Sequence, residues 1–175
     1  MSNVILKPIL ESSVEDLATI HVQGWQAGYK DLVPDDYLEN LSVDEYKSKW
    51  QLWLKELAQG YVAEVDGIAA GFVSFGKIRT RLPCDKGVIP LYSGEIYALY
   101  LKPDYWRMGL GSQLLRAAFE DLKQERHNGA ALWVVKDNKR ACSFYEAHGG
   151  QRVAKKKQEI GGRFLNESAF GWRTL

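Results

Sequence analysis

The segment from Glu95 to Ser112 constrains the fold more than any other. Glu95 to Leu101 is an almost uninterrupted β-prone run, the pattern of a strand buried on both faces, and Pro103 ends it. Gly109-Leu110-Gly111 then leads straight into Leu114, Leu115, Ala118 and Leu122 at helical spacing, so strand, glycine loop and helix follow in order. Gly129 closes the unit, and Ala130 to Val135 reads as the next strand. A helix that starts on two glycines presents unpaired backbone N–H groups and the positive end of its dipole, both suited to a phosphate or pyrophosphate. A Rossmann fingerprint needs a third glycine where Leu114 stands, and a Walker loop needs a Lys-Ser/Thr pair where Ser112-Gln113 follows. Both nucleotide loops are therefore disfavoured.

Around this unit the periodicity predicts further elements. Val4 to Leu6 form a short strand ended by Pro8, and Ser12 or Ser13 caps a helix whose apolar face is Val14, Leu17, Ala18, Val22 and Trp25. Gly28 and Pro34 close that segment. A capping box at Ser42-Val43-Asp44-Glu45 opens a second helix with Tyr46, Trp50, Trp53, Leu54 and Leu57 on its buried stripe, stopped by Gly60. Tyr61 to Val65, Asp66-Gly67 and Ile68 to Phe75 describe a β-hairpin. Lys77 to Ser93 has no sustained period and is a long loop, either a substrate-side flap or plainly disordered. Asn138 caps a helix carrying Ala141, Phe144 and Tyr145, Gly149-Gly150 ends it, and two strands turned at Gly161-Gly162 complete the chain. The layout β-α-α-β-β-β-α-β-α-β-β is that of a mixed-sheet α/β fold.

Composition narrows the function. At 175 residues, 46% of them hydrophobic, the chain is expected to be a single domain over 1–175 with a core of its own. Its 23 basic and 22 acidic side chains give no field that would draw it to nucleic acid or to an anionic membrane, and Lys155-Lys156-Lys157 reads as a solvated strand face. Cys84 and Cys142 are far apart, and His21, His127 and His148 stand singly, so a reducing compartment and no metal are expected. The N-terminal residues lack a signal-peptide pattern and no apolar run reaches the ~18 residues of a membrane span. A cytoplasmic location is expected.

Two stretches carry a resemblance. Glu95-Ile96-Tyr97-Ala98-Leu99-Tyr100-Leu101-Lys102-Pro103 with Trp106-Arg107-Met108-Gly109-Leu110-Gly111-Ser112 resembles motif A of the GNAT superfamily of N-acetyltransferases. Asn138-Lys139-Arg140-Ala141-Cys142-Ser143-Phe144-Tyr145-Glu146 resembles its motif B. Trp106 stands where the family has Gln or Arg, and Gly149-Gly150 where it has Gly-Phe, so a packing aromatic is missing and the following strand is expected to dock differently. His21 to Trp25 and Leu91 to Tyr97 look like an uncharacterised bacterial branch.

The resemblance implies a mostly antiparallel central sheet flanked by helices, with two central strands splayed to hold acetyl-CoA, and acetyl transfer to a primary amine of a small molecule or protein. By the same resemblance the cofactor is held by Leu99, Leu101, Arg107, Met108, Gly109, Leu110, Gly111, Ser112, Asn138, Arg140 and Tyr145. Glu95 is the implied base, acting directly or through water that Tyr97 helps orient, and strand alternation directs its side chain into the cleft. Its bland alternative is a strand-start carboxylate held by a basic neighbour. Tyr145 is the implied acid, since a phenol stays protonated at pH 7 and can donate to a departing thiolate. A backbone N–H near Leu99 serves the oxyanion.

Trp25 and Tyr29 are expected at the acceptor side with Tyr97, whereas Trp50 and Trp53 are expected in the core. Cys142 is read as buried filler rather than a nucleophile. A homodimer is consistent with the family. A rival function is a non-catalytic acyl-CoA sensor of the same fold.

Overall fold

The computed structural model describes residues 3–56 and 59–175. Seven strands form one sheet in the order β1-β2-β3-β4-β5-β7-β6, with β1 Val4–Pro8, β2 Gln59–Val65, β3 Ile68–Lys77, β4 Gly94–Leu101, β5 Ala130–Val135, β6 Gln151–Ile160 and β7 Arg163–Trp172. Every neighbouring pair is antiparallel except β4 and β5, which are parallel. That one parallel pair follows from the intervening helix α4, Leu110–Gln124, because a parallel connection needs a crossover.

Helices cover both faces. The α4 stripe of Leu114, Leu115, Ala118 and Leu122 buries against Val73, Phe75 and Ile96, joined by Cys142 and Tyr145 of α5, Lys139–Ala147. On the opposite face α1, Val14–Gly28, and α3, Val43–Lys55, enclose Val62, Ala69 and Phe72 through Leu17, Ile20, Tyr46 and Trp50. The Asp66-Gly67 turn joins β2 and β3 as expected, both residues taking positive φ.

Two irregularities in β4 create the space the fold uses. Its pairing with β5 stops after Gly94↔Ala130 and Glu95↔Ala131, so the strands diverge from Ile96 and Leu132 onward. Against β3, Ser74 faces Ala98 and Phe75 faces Ile96, which leaves Tyr97 as the extra residue of a bulge. The bulge resets alternation: Ile96 packs with the α4 face, while Ala98 and Tyr100 pack with the α1 and α3 face.

Several expectations are corrected. Ser13 makes no side-chain cap on α1; a 3-10 turn at Glu11–Ser13 precedes the helix, and the Ser13 hydroxyl accepts from the Leu10 N–H at 3.1 Å. A short helix α2, Asp35–Glu39, lies between α1 and α3 where none was expected, because five residues are too few to show a period. Helix α3 ends at Lys55, not at Gly60, which belongs to β2; Leu57 lies outside the described residues. The long loop is organised, with Asp85 accepting from the N–H groups of Leu91 and Tyr92 and pairing with Arg81. The aromatic absent beside Gly149 is supplied from β7: a Cβ on Gly150 would come 2.7 Å from Trp172, whose indole N–H donates to the His148 carbonyl at 2.8 Å.

Candidate functional site

A cavity of about 880 Å³ opens where β4 and β5 part. Its walls are Ile96 to Leu101 on one side and Leu132 to Val134 on the other, completed by the glycine loop, the start of α5 and Gly24, Gly28 and Tyr29 of the α1 region.

The loop's shape is a main-chain matter. Arg107 and Gly109 both take left-handed φ, +63° and +79°, which turns the chain so that Gly109 caps α4. A Cβ on Gly109 would meet nothing within 4 Å, so open space lies over the first turn, where the helix N–H groups have no intrahelical partner. At Gly111 a Cβ would come 3.3 Å from the Phe144 ring, so glycine lets α4 close on α5. Trp106 donates its indole N–H to the Leu101 carbonyl at 3.1 Å, and the Arg140 guanidinium lies 3.3 Å over its ring. The departure from Gln or Arg thus becomes a brace that ties the loop to β4 and stations a cation at the mouth. Arg107, Lys139 and Arg140 line this end together. An open glycine turn, a helix N-terminus and three cations fit a pyrophosphate.

Deeper in the cavity, Tyr29, Tyr100 and Tyr145 converge. Burial, together with the neighbouring Tyr29 and Cys142, pushes Tyr145 above the usual phenol range, and burial raises Tyr29 to about 12 and Tyr100 well above its ordinary value. All three are neutral donors at pH 7. Asn138 caps α5 by accepting from the Ala141 N–H at 3.1 Å, and it lines the cavity.

Glu95 does not line this cavity. Its carboxylate is buried and held by Arg79 of the long loop: Oε1 takes Nη2 at 2.6 Å and Nε at 3.3 Å, and Oε2 takes the Arg79 main-chain N–H at 2.9 Å. Arg79 also stacks on Tyr97, whose hydroxyl donates to the Lys77 carbonyl at 2.6 Å. Tyr97 and Ala98 form a shared wall, for a second cavity of about 260 Å³ lies on the α1 and α3 face and is bounded by them, His21, Trp50, Trp53, Ser74, Arg79 and Glu56.

The main cavity therefore gathers Leu99, Leu101, Arg107, Gly109, Leu110, Gly111, Ser112, Asn138, Arg140, Tyr145, Tyr29 and Tyr97. Met108 is exposed beside the loop and Trp25 stacks on Tyr29; neither lines a wall of it. Trp50 is core and also cavity wall, and Trp53 is half-buried at its side. Arg79, His21, Lys139 and Tyr100 join the two cavities without having been singled out. Lys139 and Tyr100 sit inside the motif B and motif A stretches and His21 opens the His21 to Trp25 stretch, whereas Arg79 is brought in by the fold alone. Cys142 is buried with its sulfur near the Val135 and Lys136 carbonyls, and burial raises its thiol pKa.

The chain belongs to the acetyltransferase (GNAT) family, whose sequence pattern matches residues 25–150. It is 36% identical over 163 residues to an uncharacterized N-acetyltransferase, YuaI of Bacillus subtilis, covering 93% of this chain and 88% of that one. Among solved structures, a GCN5-related N-acetyltransferase from Rhodopseudomonas palustris superposes with a TM-score of 0.76 at 20% identity, covering 100% and 98% of the two chains. PaiA N-acetyltransferase from Thermoplasma acidophilum, solved in complex with coenzyme A, gives 0.68 at 22% identity over 94% and 98%. The seven-stranded sheet with its splayed centre is the fold of these proteins.

Proposed function

We propose that the chain is an acetyl-CoA-dependent N-acetyltransferase acting on a primary amine. The observation that carries this reading is one cavity running from a cationic glycine turn, between splayed β4 and β5, to the buried Tyr145 phenol. The turn at Arg107 to Ser112, with Lys139 and Arg140, holds the pyrophosphate, and the main chain of Leu99 and Leu101 lies along the arm. Bound acetyl-CoA supplies a thioester: the amine nitrogen bonds to the acetyl carbon, the carbon–sulfur bond breaks, nitrogen loses one proton and sulfur gains one.

Tyr145 is the proton donor to the sulfur. Burial keeps the phenol neutral at pH 7, so its O–H is available to hydrogen-bond the thiolate as the carbon–sulfur bond breaks. The main-chain N–H at Leu99 faces the developing oxyanion. Both Glu95 oxygens are engaged by Arg79, so the amine proton leaves through a water held between Tyr97 and this pair, with Glu95 behind it. The acceptor enters from the second cavity, reaching the thioester across Tyr97 and Ala98. Among the described residues no helix is long and apolar enough to cross a membrane, and a cytoplasmic setting is consistent with free cysteines at Cys84 and Cys142.

Isothermal titration of acetyl-CoA against wild type and Gly109→Trp, followed by a thiol-release assay with pooled amines, tests the reading. Binding lost in the variant and thiol release with an amine are expected. Failure of the wild type to bind acetyl-CoA overturns it; binding with no release from any amine makes the chain an acyl-CoA sensor.

A further inference from the structure

We infer that His148 is a positioning residue for the cofactor's pyrophosphate and acts through Ser112: acetyl-CoA binds with uptake of a proton at His148 Nε2, which releases the Ser112 hydroxyl to donate to a phosphate oxygen. The inference rests on the proposed binding of acetyl-CoA and concerns the junction of α4, α5 and β7 beside the glycine turn.

His148, which follows α5, is held at several points. Its Nδ1 lies 2.7 Å from the Phe144 carbonyl oxygen, and its ring packs on the Phe144 ring with 4.3 Å between centroids. Its own carbonyl takes the Trp172 indole N–H at 2.8 Å. Phe144 in turn backs the glycine turn, since a Cβ on Gly111 would come 3.3 Å from its ring. The remaining ring nitrogen, Nε2, lies 2.9 Å from Oγ of Ser112, which stands in the first turn of α4 and lines the main cavity.

The partners fix the protons. A carbonyl oxygen only accepts, so Nδ1 carries a hydrogen. In the neutral ring Nε2 is then a bare acceptor, and the Ser112 hydroxyl gives it its one proton, turning only lone pairs to the cavity. A phosphate oxygen arriving there competes with Nε2 for that proton, and whichever loses is left without a donor. A proton taken from solvent onto Nε2 removes the conflict. Nε2–H donates to Ser112 Oγ, the hydroxyl donates to the phosphate, and the imidazolium adds positive charge behind the turn.

The surroundings leave the ligand to supply the negative charge. Of the ionisable side chains on the elements that meet His148, Arg116 follows Ser112 by one turn of α4 and is exposed, and Glu146 of α5 is paired with Arg152 of β6 at 2.9 Å. β7 meets His148 through the uncharged Trp172. The other two histidines are accounted for: burial, with the Lys49 charge, holds His21 at about 3, and His127 is engaged by Ser93 at 3.0 Å and Glu125 at 3.4 Å and lines neither cavity.

The test is the Kd of acetyl-CoA by isothermal titration at about pH 6 and about pH 8, at equal ionic strength, for wild type, His148→Gln and Ser112→Ala. Wild type is expected to bind more tightly at the lower pH, and its ratio of Kd at pH 8 to Kd at pH 6 to exceed that of either variant about fivefold, one linked proton being worth at most about tenfold per pH unit. At pH 8, Ser112→Ala is expected to bind within about threefold of wild type, because the hydroxyl is then turned to His148. Titration of the cofactor's own phosphates is common to the three proteins and cancels between them. Stoichiometry reports the binding-competent fraction, so a partly unfolded sample still yields its Kd ratio, and either variant alone decides if the other does not fold. A pH ratio that persists in either variant, or an affinity loss in Ser112→Ala that is equal at the two pH values, overturns the inference. Failure of wild type to bind acetyl-CoA at either pH overturns the proposed activity itself, so the two failures are told apart.

Discussion

The two cavities that share Tyr97 and Ala98 are built by different means. The larger is shaped by the backbone: positive φ at Arg107 and Gly109, the N-terminus of α4, and the parting of β4 from β5 after two rungs. The smaller is made of side chains drawn from α1, α3, β3, the long loop and the β4 bulge, segments up to about eighty residues apart in sequence. A backbone-built site tolerates exchange of side chains but not of turn geometry. A site built from side chains behaves the other way round, and each of its members also has a structural task, as Trp50 has in the core.

That contrast can be broken or sharpened by substitution. The largest effect is expected at the one side chain of the larger cavity whose chemistry is needed: Tyr145→Phe should lower kcat roughly a hundredfold while acetyl-CoA affinity, read by titration, stays within about threefold. An equal loss of affinity would mean that the phenol holds the ligand rather than donating a proton. Next, Gly150→Val drives a branched side chain into Trp172 and should cost about 3 kcal/mol in urea unfolding.

On the smaller cavity's side, His21 gives a pH signature. Its folded pKa of about 3 lies below the ordinary 6.5, so the unfolded chain takes up the extra proton first as pH falls. Its contribution is therefore fully present above about pH 6.5 and is lost below it, at about 1.4 kcal/mol per pH unit down towards 3. His21→Leu should flatten that part of the dependence when urea midpoints are compared at pH 7 and pH 5. The smallest effect is expected at Trp106→Phe, which gives up one hydrogen bond to Leu101, worth about 1 kcal/mol, and leaves acetyl-CoA binding within about fivefold.

Legibility in the sequence follows the same division. The strand, glycine turn and α4 unit, the Asp66-Gly67 hairpin, the Asn138 cap and the Gly161-Gly162 turn were all readable, because each depends on residues within a few positions of one another. The family, and with it the splayed sheet, was readable from two such local stretches. Glu95 shows where local reasoning stops. Alternation along a strand gives a direction, but the Tyr97 bulge interrupts it, and nothing near Glu95 in sequence announces that Arg79 will close on its carboxylate. His21 was visible as a solitary histidine heading the His21 to Trp25 stretch, with no role attached; its neighbours Tyr46, Trp50, Phe72 and Tyr100 come from three other elements. The aromatic lost at Gly150 and regained at Trp172 is a packing exchange between positions twenty-two apart, invisible to any windowed pattern.

The brief contact between β4 and β5 also bears on how the chain survives in solution. Past Glu95 and Ala131 the sheet has two interior edges, each a row of backbone groups that would, at an outer margin, invite another chain to pair with it. Here they face one another, screened by helices on both sides, so the liability is confined to a space that only a slender molecule can enter. Amide hydrogens along Ile96 to Leu101 that point into the gap should exchange with solvent faster than those joining β3 to β2, and slow down when that space is filled.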